Sequence, residues 1–182
     1  VDLGPTDIDV EVIRTSKVVY LEGYLWDPPL AKAAFQKAIN FAHESGGKIA
    51  LSLSDAFCVD RFRDEFLDLV ENHVDILFAN ETEIMSLYQV DNFDSAVAFL
   101  PNNGCIFALT RGDNGSVVVQ SGTKYFIPPN TITKVVDTTG AGDLYAAGFL
   151  YGYINNTELS ICGKLGGLVA SEIITHFGAR PK

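Results

Sequence analysis

A chain of 182 residues that is 47% hydrophobic and 11% aromatic can bury a substantial core and is expected to fold as a single α/β domain over residues 1–182. Its net charge of −10 offers no basic stripe for a phosphate backbone, so nucleic acid is not expected as a partner. Cys58, Cys105 and Cys162 are scattered without CxxC spacing, which argues against a disulfide scaffold or a zinc site, and no apolar run is long enough for a membrane span.

These features, with no signal-peptide pattern in the first residues, suggest a cytoplasmic setting. The chain begins at Val1 instead of methionine and reads as part of something longer.

Residues 18–21 form an apolar run ending at Glu22-Gly23. Pro28-Pro29 then opens a stretch in which Leu30, Ala34, Ala38, Phe41 and Ala42 recur at helical spacing up to Gly46-Gly47. This predicts strand, loop, helix. The alternation continues with a strand over 48–53, a helix over 59–71 carrying Phe62, Phe66, Leu69 and Val70 on one stripe, and a strand over 76–79. Such a pattern predicts a mostly parallel sheet flanked by helices. Helical stretches at 81–88 and 94–100 precede a strand at 105–110. Gly112 to Gly115 reads as a turn, and 117–119 with 125–127 as antiparallel strands joined near Ser121-Gly122. A strand at Val135-Val136 is expected to run into Asp137-Thr138-Thr139-Gly140-Ala141-Gly142-Asp143, followed by helices over 141–154 and 158–176 before Gly178.

Residues 137–143 carry the most chemistry. A turn with two glycines at a helix start can present backbone N–H groups, here those of Gly140, Ala141 and Gly142, at the positive end of the helix dipole, where an oxyanion can approach closely. Asp143, in the first helical turn, is placed to accept a proton from an attacking alcohol. The alternative is a glycine turn that merely starts a packed helix, with Asp143 a charge favoured by the dipole. A dinucleotide site is disfavoured, because the turn comes late in the chain and lacks the third glycine of Gly-x-Gly-x-x-Gly.

The seven-residue segment resembles the C-terminal signature of the ribokinase/PfkB carbohydrate-kinase family, which includes adenosine kinases. The resemblance implies a ribokinase-like fold, ATP and Mg²⁺ as cofactors, and transfer of the γ-phosphate to a primary hydroxyl. Within the signature, Thr138 joins the nucleotide-binding set, and Asp137 and Thr139 match positions near which some members bind a monovalent cation such as K⁺.

Asn80-Glu81-Thr82-Glu83 resembles the family's Asn-x-x-Glu motif, implying that Asn80 and Glu83 organise magnesium, through water, and the nucleotide phosphates. Ligands of open α/β sheets do bind outside the carboxyl ends of the strands, and magnesium favours oxygen ligands and water. Without the resemblance, Asn80 is a helix N-cap and Glu83 its capping-box partner, and both roles can hold together. Thr110-Arg111-Gly112-Asp113-Asn114-Gly115 resembles the family's Thr-x-Gly-x-x-Gly turn, which implies that Thr110 and Gly112 lie along the phosphates. A plain hairpin turn explains the same glycines almost as well, and Arg111, which could add a positive charge near ATP, is more commonly a solvated turn residue. The stretch around Gly166-Gly167-Leu168-Val169-Ala170-Ser171 and the His176-Phe177-Gly178-Ala179-Arg180 ending resemble the border of the family's adenine pocket. Gly167, Ala170 and Ser171 are thereby expected to leave room for a flat base. His176, a lone histidine near a helix C-terminus, is assigned no chemistry.

The resemblance corresponds to the C-terminal part of the family's usual length. The first signature, the acidic residue that grips the acceptor, and the β-sheet lid find no match in residues 1–182, so the chain alone is expected to turn over poorly. The segments 20–28 and 51–61 resemble those of bacterial members labelled adenosine kinase or sugar kinase. Ser54-Asp55-Ala56-Phe57 departs from the Asp-Pro-Asn-x-Arg run of many sugar-type members, which favours a nucleoside acceptor over a ribose-like or fructose-like sugar. A non-catalytic nucleotide-binding module is the further alternative, against which Asp143 speaks. Oligomeric state is left open.

Overall fold

The computed structural model describes residues 3–181. Asp9 caps a short helix α1 (Val10–Thr15), its carboxylate accepting the Glu11 and Val12 N–H groups; the apolar spacing gave no sign of this helix. Strand β1 (Val18–Glu22) leads through a 3₁₀ turn to α2 (Pro29–Glu44), with proline in its first turn as the Pro28-Pro29 pair predicts, and then to β2 (Lys48–Ser52). The helix expected over 59–71 is two helices, α3 (Ala56–Arg61) and α4 (Arg63–Asn72). The Asp55 carboxylate accepts the Cys58 N–H and starts α3 early, and Phe62, at φ −122° and ψ 27°, breaks the helical path between them. Strand β3 (Ile76–Asn80), α5 (Glu81–Tyr88) and α6 (Phe93–Ala98) complete the first half.

Strands β4 (Ile106–Thr110), β5 (Ser116–Gln120) and β6 (Thr123–Ile127) follow, and then α7 (Ala141–Ile154) and α8 (Leu159–Ile173). Ser121 and Gly122, at φ +49° and +78°, make the tight two-residue turn between β5 and β6.

The six strands form one mostly parallel sheet in chain order, β1 to β6, with helices packed on it. The pairs β1–β2 and β2–β3 are parallel and β5–β6 is antiparallel. Register aligns Glu22 with Ser52, and Ser52 with Phe78, so the carboxyl ends of the first three strands share one edge. The chain divides into two compact units, meeting in sequence at Ile106 and Phe107.

In the first unit α2 lies on β1 and β2, and Ile39, Ile49, Leu51, Phe66, Ile76 and Leu77 are fully buried. Strands this apolar throughout are those of a sheet covered on both faces. In the second unit α8 lies on β5 and β6 and α7 packs on α8. A Cβ on Gly148 would stand 2.6 Å from Leu165 O, and one on Gly166 2.7 Å from Tyr145 O. These two glycines let the helix backbones approach each other as no other residue would allow.

Two expectations are corrected here. Val135 and Val136 join no strand: the Val136 N–H donates to Ile174 O at 2.8 Å, at the end of α8. Two valines have strand propensity but need a neighbouring strand to form a ladder, and their partner is a helix terminus. Helix α8 also stops at Ile173, short of His176, and Gly178 at φ +92° lies in the irregular segment beyond.

Candidate functional site

Gly140 is the N-cap of α7 and holds φ +79°, ψ 3°, a left-handed conformation in which a residue with a side chain is strained. A Cβ there would also stand 2.8 Å from Ala179 Cβ. Having no side chain, Gly140 cannot cap the first turn of α7. The Ala141 N–H donates to Thr138 O at 3.1 Å, closing the turn internally, so the expectation that Ala141 offers a free amide is corrected. The Gly142 and Asp143 N–H groups have no partner among the described residues. Asp143 is exposed, in the first turn of α7. Two unpaired amides and an exposed carboxylate at the positive end of a 14-residue helix can together bind an oxyanion and accept a proton.

Asp137 stands before this turn. One oxygen accepts the Thr139 N–H at 2.9 Å and the Thr139 hydroxyl at 2.7 Å, and the other accepts the Gly178 N–H at 3.0 Å. The Gly178 amide, followed by the Thr139 donors, holds this carboxyl down to about 2. Asp137 and Thr139, expected as cation neighbours, are therefore engaged with each other. Further along α7, the buried Tyr145 hydroxyl donates to Ser116 Oγ at 2.9 Å at the start of β5. This bond ties α7 to the end of the 111–115 turn. In that turn the Arg111 N–H donates to Gly115 O at 2.8 Å, Gly112 holds φ +58°, and Thr110 is half-buried as the last residue of β4.

Gly167, Ala170 and Ser171 lie on one face of α8 and are half-buried, whereas their neighbour Gly166 is consumed by packing on α7. The Ser171 hydroxyl donates to Leu168 O at 2.8 Å. His176 is buried, with Nε2 3.1 Å from Glu172 Oε1, a local contact.

In the first unit, Asn80 ends β3 and caps α5. Its Oδ1 accepts the Glu83 N–H at 2.9 Å, while the Glu83 carboxylate accepts the Asn80 N–H at 2.8 Å and Nδ2 at 2.6 Å. The capping box is complete. Glu83 is buried, and loss of water, opposed by the Asn80 N–H and reinforced by Asp55 and Glu22, pushes its carboxyl up to about 7.

The same strand-end edge holds residues that the motifs did not single out. Glu22, the last residue of β1, accepts a short hydrogen bond from the Ser54 hydroxyl, and Ser54 holds φ +68° just beyond β2. The Tyr24 N–H donates to Ser54 Oγ at 3.3 Å. Tyr24 and Phe57 are 56% and 84% exposed, far more than a core would leave them. The available signal was positional: each of these segments follows directly on an apolar strand, where open sheets bind ligands.

Among the described residues no three His, Cys, Asp or Glu side chains are grouped as a metal would need. The edge still suits a hard cation in part: its donors are oxygens, and Glu22 and Asp55 raise the Glu83 carboxyl by like-charge repulsion that a dication would relieve. With both Glu83 oxygens already accepting from Asn80, magnesium fits there through its water shell.

A family model described as pfkB family carbohydrate kinase matches residues 3–182. Among solved structures, a probable sugar kinase protein from Rhizobium etli CFN 42 and an adenosine kinase from Sinorhizobium meliloti are each 48% identical. Each superposes with a TM-score of 0.96, over 99% of this chain and 55% of its own. An uncharacterized sugar kinase from Archaeoglobus fulgidus is 29% identical over 174 residues, 96% of this chain and 67% of its own length. The chain thus spans about half the length of these solved relatives.

Proposed function

The chain belongs to the pfkB family of carbohydrate kinases, and from that premise we propose that it supplies the phosphoryl-transfer half of an ATP-dependent kinase acting on a primary hydroxyl. The observation that carries this reading is the start of α7: a left-handed Gly140, two unpaired amides and the exposed carboxylate of Asp143 in one turn. The Gly142 and Asp143 amides would hold the charge that develops on the γ-phosphoryl group, with Gly140 and Ala141 fixing the turn that aims them. Asp143 takes the proton from the acceptor alcohol as it attacks in line. Thr110, Gly112 and Thr138 contact the nucleotide phosphates, and Gly167, Ala170 and Ser171 border its base. Magnesium would neutralise charge on the phosphates, its water shell held by Asn80 and Glu83. A monovalent ion such as K⁺ would lie beside Asp137 and Thr139.

For the acceptor, a nucleoside is favoured. Glu22 and Ser54 offer a carboxylate and a hydroxyl suited to ribose hydroxyls, and the exposed Tyr24 and Phe57 flank them in sequence with faces suited to a flat base. Relatives' names do not decide the point, because one solved relative named as a sugar kinase and another named as an adenosine kinase are equally similar to this chain. The test is phosphate transfer from Mg-ATP by the intact protein, screened against adenosine, other nucleosides, ribose and fructose. Transfer to nucleosides supports the full reading, transfer to sugars alone replaces the acceptor, and ATP binding without any transfer leaves a nucleotide-binding module.

A further inference from the structure

The catalytic reading leaves unexplained why a carboxylate three residues before Gly140 accepts three hydrogen bonds, one of them from a residue 41 positions away. We infer that Asp137 is a positioning residue: its carboxylate latches the segment after α8 onto the Gly140 turn and so sets the direction in which the first amides of α7 point. The inference rests on the kinase reading above for its functional consequence, but its geometry is independent of that reading.

Three observations converge on the latch. The Asp137 carboxylate bridges its own loop, through Thr139, and the far segment, through the Gly178 N–H. The backbone adds a second tie, the Val136 N–H donating to Ile174 O at 2.8 Å. A third constraint is steric: Ala179 packs so closely on Gly140 that a Cβ there would stand 2.8 Å from Ala179 Cβ. Gly140 is thus held between Thr139 and Ala179, in a left-handed conformation and against a neighbour that glycine accepts and a residue with a side chain would not. The latch does for the turn what an N-cap side chain does elsewhere, fixing the loop that enters the helix, while leaving the first-turn amides unpaired. Reacting groups displaced by about an ångström can lose a hundredfold in rate, so the latch would act on kcat.

The experiment compares the intact wild-type protein with Asp137→Asn, in which either orientation of the new amide sets an NH₂ against an N–H donor, and with Thr139→Val, which removes one donor. Steady-state phosphotransfer is read together with hydrogen exchange of the amides in 138–144 and 177–179. The expected result is a fall in kcat of roughly ten- to a hundredfold for Asp137→Asn with KM for ATP and acceptor little changed, and faster exchange in both segments together. Thr139→Val should move in the same direction by less, and it decides the matter if Asp137→Asn does not fold. Unchanged exchange in 138–144, or a rise in KM with kcat intact, would overturn the latch. A wild-type protein that transfers no phosphate counts against the kinase reading alone, because the exchange result still decides the latch.

Discussion

The starts of α5 and α7 carry a carboxylate at the same place, the third residue of the helix, and use it in opposite ways. At α5 the cap is Asn80 in an ordinary extended conformation, φ −87° and ψ 173°, and Glu83 folds back to close the capping box. Its carboxylate is buried and spoken for. At α7 the cap is Gly140 in a left-handed conformation with no side chain to give, and Asp143 stays in the open. The difference lies in the cap. An asparagine satisfies the first-turn amides from within the chain, whereas a glycine leaves them for something from outside. A first turn that satisfies itself serves stability, and one that does not is suited to chemistry.

The largest effect should come from the open start. Asp143→Asn in the intact protein is expected to reduce phosphate transfer at least about a hundredfold while ATP binding, followed by titration, holds. An unaffected rate would take Asp143 out of the mechanism.

The buried start should show itself through pH. Glu83 has a folded value of about 7, above its ordinary 4.5, so the folded state binds the proton more tightly than the unfolded chain. Its contribution is fully present below about 4.5 and is lost as pH rises to about 7. Glu83→Gln abolishes that titration, and the gap in urea-unfolding stability between variant and wild type should move in the variant's favour, by on the order of 1–3 kcal/mol, between pH 4.5 and pH 8. A gap independent of pH would mean that Glu83 is not held proton-hungry.

Gly140→Ala adds a Cβ where φ is positive and Ala179 is in the way, and should cost about 1–2 kcal/mol in thermal or urea unfolding. A neutral result would show that the turn is not held as described. The smallest effect is expected from Asn80→Ala, which opens the capping box at about 1 kcal/mol. Unchanged unfolding stability would show that the box does not support α5; any loss of transfer in this variant belongs to the magnesium role proposed for Asn80.

Much of this was legible in the residues. The strand and helix alternation through β3, the hairpin at Ser121-Gly122, the Asn80 cap with its Glu83 partner and the glycine turn before α7 all rest on local chemistry, on apolar spacing and on residues whose backbone preferences are narrow. Local preference also misled. Val135 and Val136 look like a strand, yet a strand exists only where another lies beside it, and they meet the end of α8. The run over 59–71 keeps one apolar stripe, but the break at Phe62 depends on where Asp55 starts the first turn.

The sequence by itself determined most of the helix and strand segments, α1, the break at Phe62 and Val135-Val136 excepted, and that a helix with an acidic first turn starts at a glycine turn, because those properties depend on neighbours a few positions apart. Only the tertiary structure decided that Glu83 is buried and Asp143 is not, that the Ala141 amide is already taken, and that Asp137 reaches Gly178. Burial and long-range hydrogen bonds depend on which distant segments fold against a residue, and no short window of sequence contains them.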